Sequence, residues 1–242
     1  MKTWWTVSSL ISIIFIWFII SLVINHPLVL PSPMTVGEAF LKMLIKTETW
    51  LILGRTLFRL LLAIALSGCL GILLGSLAGL SPKFSWIIRP YVSIFRTIPV
   101  ISIIVILLIL IGYTLTPYLI TFLMVFPIIY QAAYEGITHI DQAYLDIYRL
   151  ETHAPHLAFK DLYYPLMRPY IILGFLQSIG LGLKVLVMAE YLSQTQNSVG
   201  NELYLAKTYL DYSTVFAWTI MLILIALSLE HLIYRYKASI EN

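Results

Sequence analysis

Residues 57–80 read LFRLLLAIALSGCLGILLGSLAGL, twenty-four positions carrying one charge, Arg59. A helix crosses the hydrocarbon core of a bilayer in about 20 apolar residues, so this stretch predicts a transmembrane helix. Within it Gly71, Gly75 and Gly79 recur every four residues, with Gly68 close to the same face. Small residues in that pattern let a second backbone approach closely, which matters in lipid because apolar bulk alone gives helices no force of association. Packing is therefore the expected role of the three glycines. The expected partner is a second subunit, the same chain or a related one, since too few intramembrane polar groups are available to enclose a pathway within one.

Working outward, five further apolar stretches of similar kind lie at 5–24, 92–111, 115–130, 170–192 and 215–234, giving six expected spans. The third and fourth are separated only by Gly112 to Pro117, room for a turn and nothing more. The composition agrees: 60% of the residues are apolar and 11% charged, with a mean hydropathy of +0.90. A soluble domain carries roughly a quarter charged residues. A soluble enzyme, a nucleic-acid binder and a disordered scaffold are thereby excluded, and membrane lipid is the expected surrounding. Cys69 stands alone inside an apolar run, which excludes an internal disulfide and a cysteine-rich metal site. The first apolar stretch outruns the core of a cleaved signal and ends in Asn25-His26-Pro27 rather than small residues, so it reads as a retained span.

The net charge of +3 matters only by position. With the N-terminus inside, the inner segments hold eight Lys and Arg and the outer ones four, which favours both termini in the cytoplasm. The segment 25–56 is then an outer loop. In it Leu30-Pro31-Ser32-Pro33 precedes residues 35–44, whose Val36, Ala39, Phe40, Met43 and Leu44 fall at helical spacing, as for a short helix at the membrane interface. The segment 131–168 is the longest polar stretch, lies on the cytoplasmic side, and is where a soluble partner would bind.

Chemistry-bearing residues are few. His153 and His156 lie near Glu151 and Asp161, but Pro155 between them disturbs any helix that would align two rings on a metal. There is no Gly-x-Ser-x-Gly elbow and no phosphate-cradling Gly-x-x-x-x-Gly-Lys loop, so a partner must hold any ATP. Lys184 and Glu190 fall inside the fifth span, where a charge costs at least about 2.5 kcal/mol. Six residues apart, they point about 120° from each other on a helix. Each needs a partner elsewhere, either as a structural counter-charge or on a polar pathway.

Together these residues resemble the membrane-spanning subunit of ABC importers that depend on a binding protein, the nitrate/sulfonate/taurine-type permease family. The likeness runs from about residue 30 to the end: Leu30-Pro31-Ser32-Pro33, Gly71 to Gly75, Arg96-Thr97-Ile98-Pro99, Lys184 to Glu190, Ser198-Val199-Gly200 and Phe216-Ala217-Trp218. Its most specific part is the cytoplasmic loop, where Gly136, Asp141, Asp146 to Leu150, and Tyr164-Pro165 keep the family spacing. The chain departs from the family where Glu151-Thr152-His153-Ala154 stands for a Leu-Gly-Ala-Ser turn and Asp146-Ile147-Tyr148 for Glu-Ala-Ala.

The resemblance implies one all-α domain over 1–242, with six transmembrane helices in the type I importer fold. It implies an importer of two permease subunits, two cytoplasmic ATPase subunits that bind ATP and Mg, and an extracytoplasmic substrate-binding protein, in a bacterial cytoplasmic membrane. The loop would couple to the ATPase through Gly136, Asp141, Asp146, Arg149, Leu150, Thr152, Pro155 and Pro165. Within it a first helix is expected over 142–150, a break at Thr152, and a second helix over 155–163, with Pro155 in its first turn and Thr152 capping. Arg96, Lys184 and Glu190 are the candidates for the translocation path or for intramembrane charge. The chain itself would carry no catalytic, cofactor or metal site. Two other readings are a polytopic membrane enzyme, which needs an acid, base or metal set converging within the spans, and a vitamin transporter component, whose Ala-Arg-Gly coupling motifs are absent.

Overall fold

The computed structural model describes residues 2–151 and 157–241, and within them every regular element is helical. The helices are α1 (Lys2–Ile24), α2 (Pro33–Ile45), α3 (Thr47–Leu80), α4 (Pro82–Thr97), α5 (Val100–Thr138), α6 (Gln142–Glu151), α7 (Tyr164–Ser193), α8 (Val199–Thr208) and α9 (Tyr212–Glu241). Among the described residues, four stretches are long and apolar enough to cross a membrane: Thr47–Leu80, Val100–Thr138, Phe159–Ser193 and Tyr212–Arg235, with Ile11–Ile24 a shorter apolar one.

Local chemistry sets the boundaries. Ser32, Ser81 and Ser198 each stand before a helix and accept a backbone N–H from its first turn, and Pro33 and Pro82 follow the first two where a missing N–H costs nothing. α3 begins at Thr47, so it takes up the end of the segment read as outer loop.

The expected third span, 92–111, is not one helix. α4 ends at Thr97, Ile98 is extended (φ −67°, ψ 133°), and α5 starts after Pro99. Proline disfavours a helical residue before it and offers no N–H to the ladder, so the crossing is interrupted there. α5 itself folds back at Gly112, whose φ of 75° suits glycine and strains other residues. Ile103, Ile104 and Leu107 share one buried cluster with Ile120 and Met124. In a straight helix Ile104 and Ile120 would be about 24 Å apart. The limb before Gly112 therefore lies antiparallel to the limb after it.

α3, the second limb of α5, and α7 form the centre. A methyl group at Gly75 would come within 2.9 Å of Ala133 Cβ, one at Gly79 within 2.8 Å of Ile137 Cβ, and one at Gly71 within 3.0 Å of Ile129 Cβ. On the other side of α5, Gly136 and Gly174 meet Met167 and Ala132 just as closely. The glycine face of α3 is thus used inside the subunit. This corrects the expectation that Gly75 joins two subunits: α5 of the same chain already occupies that face.

The chain passes from α5 through α6 at one end of the bundle and returns along α7. The described part of the second helix expected over 155–163 is helical, but it does not stand apart from α7. Tyr164 N–H bonds to Phe159 O, so Phe159–Tyr163 is a π-helical turn that runs straight into α7. Pro165 and Pro169 lack the N–H that a regular ladder would need, and the helix widens here instead of stopping. Thr152 and Pro155 lie outside the described residues.

Candidate functional site

Among the described residues, a buried ion pair and an exposed apolar helix stand out from ordinary packing within the chain. The first is at the bundle end opposite α6. Thr56 and Arg59 occupy one face of α3 at i, i+3 spacing, and both reach Glu190 on α7. Arg59 Nη1 lies 2.8 Å from Glu190 Oε1. The Thr56 hydroxyl is 3.1 and 3.0 Å from the two carboxylate oxygens, and it accepts the Val199 N–H at 3.0 Å. Gly200 N–H donates to Oε2 at 3.2 Å. Glu190 has no exposed surface, and this is the only ion pair among the described residues. A buried carboxylate is tolerable when both oxygens are taken up by donors and the charge is matched, and both conditions hold here.

The segment above this pair is wired to itself. Gln194 and Asn197 adopt left-handed conformations, with φ 49° and 55°. The Ser193 and Thr195 hydroxyls are 2.6 Å apart, and Thr195 Oγ1 donates to Tyr113 O at 2.9 Å, tying this turn to the α5 fold-back. Arg59, Tyr113 and residues 192–196 line a cavity of about 820 Å³. Of the ion pair, Arg59 reaches its lining. At the same end, Glu202 on α8 has its carboxyl pushed above the ordinary carboxylate range, by burial first and by Glu48 second, against the pull of Lys46. Stability that this end has while Glu202 is protonated is therefore lost as the pH rises through the raised value.

α8 can reach Glu190 only because residue 200 is glycine. A Cβ there would collide with Glu190 Cβ and Tyr191 N and lie 2.6 Å from Val187 O. Gly200→Ala is expected to push α8 off α7 and to lower stability by about 1–3 kcal/mol, read as a fall in the melting temperature of the purified subunit. An unchanged melt would mean that α8 is free to shift.

The second place is α6 itself. Tyr144, Ile147 and Leu150 are exposed at 54%, 53% and 82%, on a ten-residue helix that projects from the bundle end. Asp141 caps it, accepting the Ala143 N–H at 3.0 Å. A helix this short is marginal in water without tertiary contacts, yet these three apolar side chains stay more than half exposed.

Residues 71–241 match the family of the binding-protein-dependent transport system inner membrane component. The chain belongs to that family. It is a multi-pass inner-membrane ABC transporter permease. Relatives include the aliphatic sulfonates transport permease protein SsuC of Bacillus subtilis, 26% identical over 86% of this chain and 76% of that protein. The taurine transport system permease protein TauC of Escherichia coli is 27% identical over 95% of this chain and 81% of its own length. An ABC transporter permease protein of Brucella melitensis is 25% identical over 90% of this chain and 87% of its own.

In this permease the residues singled out from sequence fall in different places. Glu190 is internal and Lys184 is not: Lys184 lies in a separate cleft of about 490 Å³ between α7 and α9, with Glu230 on its far wall. Arg96 lines a third cleft, between α4 and α5. Gly136 packs on Met167 at the start of α7, so in the permease it sets how closely α5 and α7 approach rather than contacting a partner. Asp146 and Leu150 lie on α6, as does the backbone of Arg149. Arg59 and Thr56 were not expected as partners of Glu190. An arginine inside a span with its match 131 positions away leaves no local mark beyond its own cost in lipid.

Proposed function

We propose that this permease forms the translocation pathway of an ATP-driven importer, receives its solute from an extracytoplasmic binding protein, and is driven by a cytoplasmic ATPase through α6. The observation that carries the reading is the exposed apolar side of α6, which suits burial in a groove of a soluble partner. The subunit crosses the membrane six times in this reading: α1, α3, α4 continued by the first limb of α5, the second limb of α5, α7 and α9. Both termini and α6 then face the cytoplasm, in keeping with the distribution of Lys and Arg. The opposite end, with α2, α8 and the turn at 193–197, faces the binding protein.

The permease does no bond chemistry. ATP and Mg are held by the ATPase, and closure of that partner on nucleotide shifts the permease between inward- and outward-open states by preferring one of them. Two such permeases, identical or related, enclose the path. The relatives named for aliphatic sulfonates and taurine put a small sulfonated solute first among the candidates.

Coexpression with the ATPase of the same system tests the coupling role. Ile147→Asp with Leu150→Asp should cut ATPase retained on the purified permease at least tenfold, the effect of losing about 1.4 kcal/mol or more of buried apolar contact, without moving the melting temperature of the permease. Reversal of charge at Asp146 and Arg149 together should uncouple ATP hydrolysis from uptake. Full ATPase retention in the first variant and normal uptake in the second would reject α6 as the coupling element.

A further inference from the structure

The interruption at Ile98-Pro99 divides one crossing into α4 and the first limb of α5, and α4 carries its polar residues along a single stripe. Ser85, Arg89, Val92, Ser93 and Arg96 follow one another at spacings of four, three, one and three, which keeps them on one side of the helix. Ser85 and Val92 are buried, Val92 in a cluster with Ala78 of α3 and Phe126 and Tyr130 of α5. Arg89, Ser93, Arg96 and Thr97 line a cleft of about 540 Å³ whose other wall is Tyr130, Gln131 and Tyr134 of α5. Tyr130 and Tyr134 stack with their planes 7° apart, at the end of a ladder of rings that continues through Phe126 to Phe122. The tyrosine wall is therefore stiff.

The charge in this cleft is one-sided. No acidic residue lines it, and neither Arg89 nor Arg96 has an ion pair among the described residues. The nearest carboxylate in the chain direction, Glu135, is engaged by Gln131 Nε2 at 2.7 Å along α5. Thr97 Oγ1 donates to its own helix, to Ser93 O and Ile94 O at 3.1 Å. Free donors remain: two guanidinium groups and the hydroxyls of Ser93, Tyr130 and Tyr134. Arg96 stands about 21 Å along α4 from its start at Pro82, and the reading above makes α4 part of a crossing, where an unmatched cation is costly unless an anion or water meets it. Guanidinium groups bind planar pairs of oxygens in a bidentate manner, and hydroxyl donors complete such a shell.

We infer that the cleft between α4 and α5 is a transient binding station for a small oxyanion, of the sulfonate or sulfate type, held by Arg89 and Arg96 and flanked by Ser93, Tyr130 and Tyr134. The inference rests on the pathway reading above and deepens it by giving the solute a place. A negatively charged lipid headgroup offers the same chemistry, and the experiment separates the two sources. The station lies between two helices of the chain and beside the interruption, where transporters built on broken helices hold their solutes.

The test uses the full-length permease in nanodiscs of phosphatidylcholine alone, with ethanesulfonate as the probe and its uncharged analogue ethanesulfonamide as the control. Ethanesulfonate should raise the melting temperature in a saturable way and ethanesulfonamide should not. Arg89→Gln and Arg96→Gln should each weaken the probe about tenfold, and the pair together should abolish the response. Arg96→Lys, which keeps charge without the bidentate geometry, should fall between, and Lys83→Gln at the start of α4 should bind as the wild type does. Wild-type affinity in the double variant would overturn the proposal. So would phosphatidylglycerol discs that give the full stabilisation without probe and block its effect, because the occupant would then be lipid. If the glutamine variants fail to fold, the lysine variant and the competition between probe and phosphatidylglycerol still decide the matter. ATPase retention through α6 is read separately, so loss of the station with retained ATPase would reject the station alone.

Discussion

Glu190→Gln should destabilise the permease by about 3–5 kcal/mol, because it leaves Arg59 buried beside a neutral amide. Arg59→Met should do the same from the other side and more severely, since a buried carboxylate then faces only the Thr56 hydroxyl and the Gly200 N–H. For a chain of this length the change corresponds to roughly 10 °C in the melting temperature of the detergent-solubilised subunit. Arg59→Met combined with Glu190→Leu should recover much of the loss, as replacing both members of a buried pair by apolar groups commonly does. The recovery separates structure from transport. A double variant that folds and still transports marks the pair as a clamp for α3, α7 and α8. One that folds and does not transport places the charge on the solute's route, where Arg59 lines the 820 Å³ cavity. Single variants as stable as the wild type would show that water reaches the pair.

Gly75→Leu should eliminate the folded subunit, not just its pairing with a second copy. Every atom of the new side chain would have to enter space already taken by Tyr130 and Ala133 of α5, and overpacking of a close helix contact costs more than about 3 kcal/mol when neither backbone can yield. The expected result is a large drop in membrane-inserted protein and no monomeric peak in detergent. Gly54→Ala on the same helix is the control: nothing lies within 4 Å of the added methyl, and the change should be neutral or slightly stabilising. A stable monomer from Gly75→Leu that fails only to dimerise would return this face to the subunit interface.

The apolar runs were legible because lipid imposes a single requirement on every residue of a crossing, and the glycine spacing on α3 marked a close helix contact. What the spacing could not tell was whose helix makes the contact. The same pattern serves a helix from another subunit or one 60 residues further on, and only the fold brings Ala133 to Gly75. The interruption at Ile98-Pro99 was visible as a proline and was nonetheless overridden by the hydropathy of residues 100–111, since a window average does not register one missing N–H. α6 was placed within a residue of its observed ends, because Asp141 and the amphipathic run after it form a local signal. Glu190 was recognisable as a problem from its cost in lipid. Its solution in Arg59, Thr56 and Gly200 is assembled from two other helices and leaves no periodicity to read.

The unbroken passage from the π-helical turn at Phe159 into α7 makes that helix a lever. From Phe159 to Glu190 it measures about 46 Å, so a tilt of about 5° at the α6 end carries the far end through about 4 Å. That travel exceeds the 2.8 Å between Arg59 and Glu190, yet three anchors on two other helices hold Glu190. The stroke cannot be absorbed by one side chain. If α6 drives α7 as proposed, either α3 and α8 swing with α7 as a single arm and reshape the cavity above them, or the clasp at Glu190 opens once in every transport cycle.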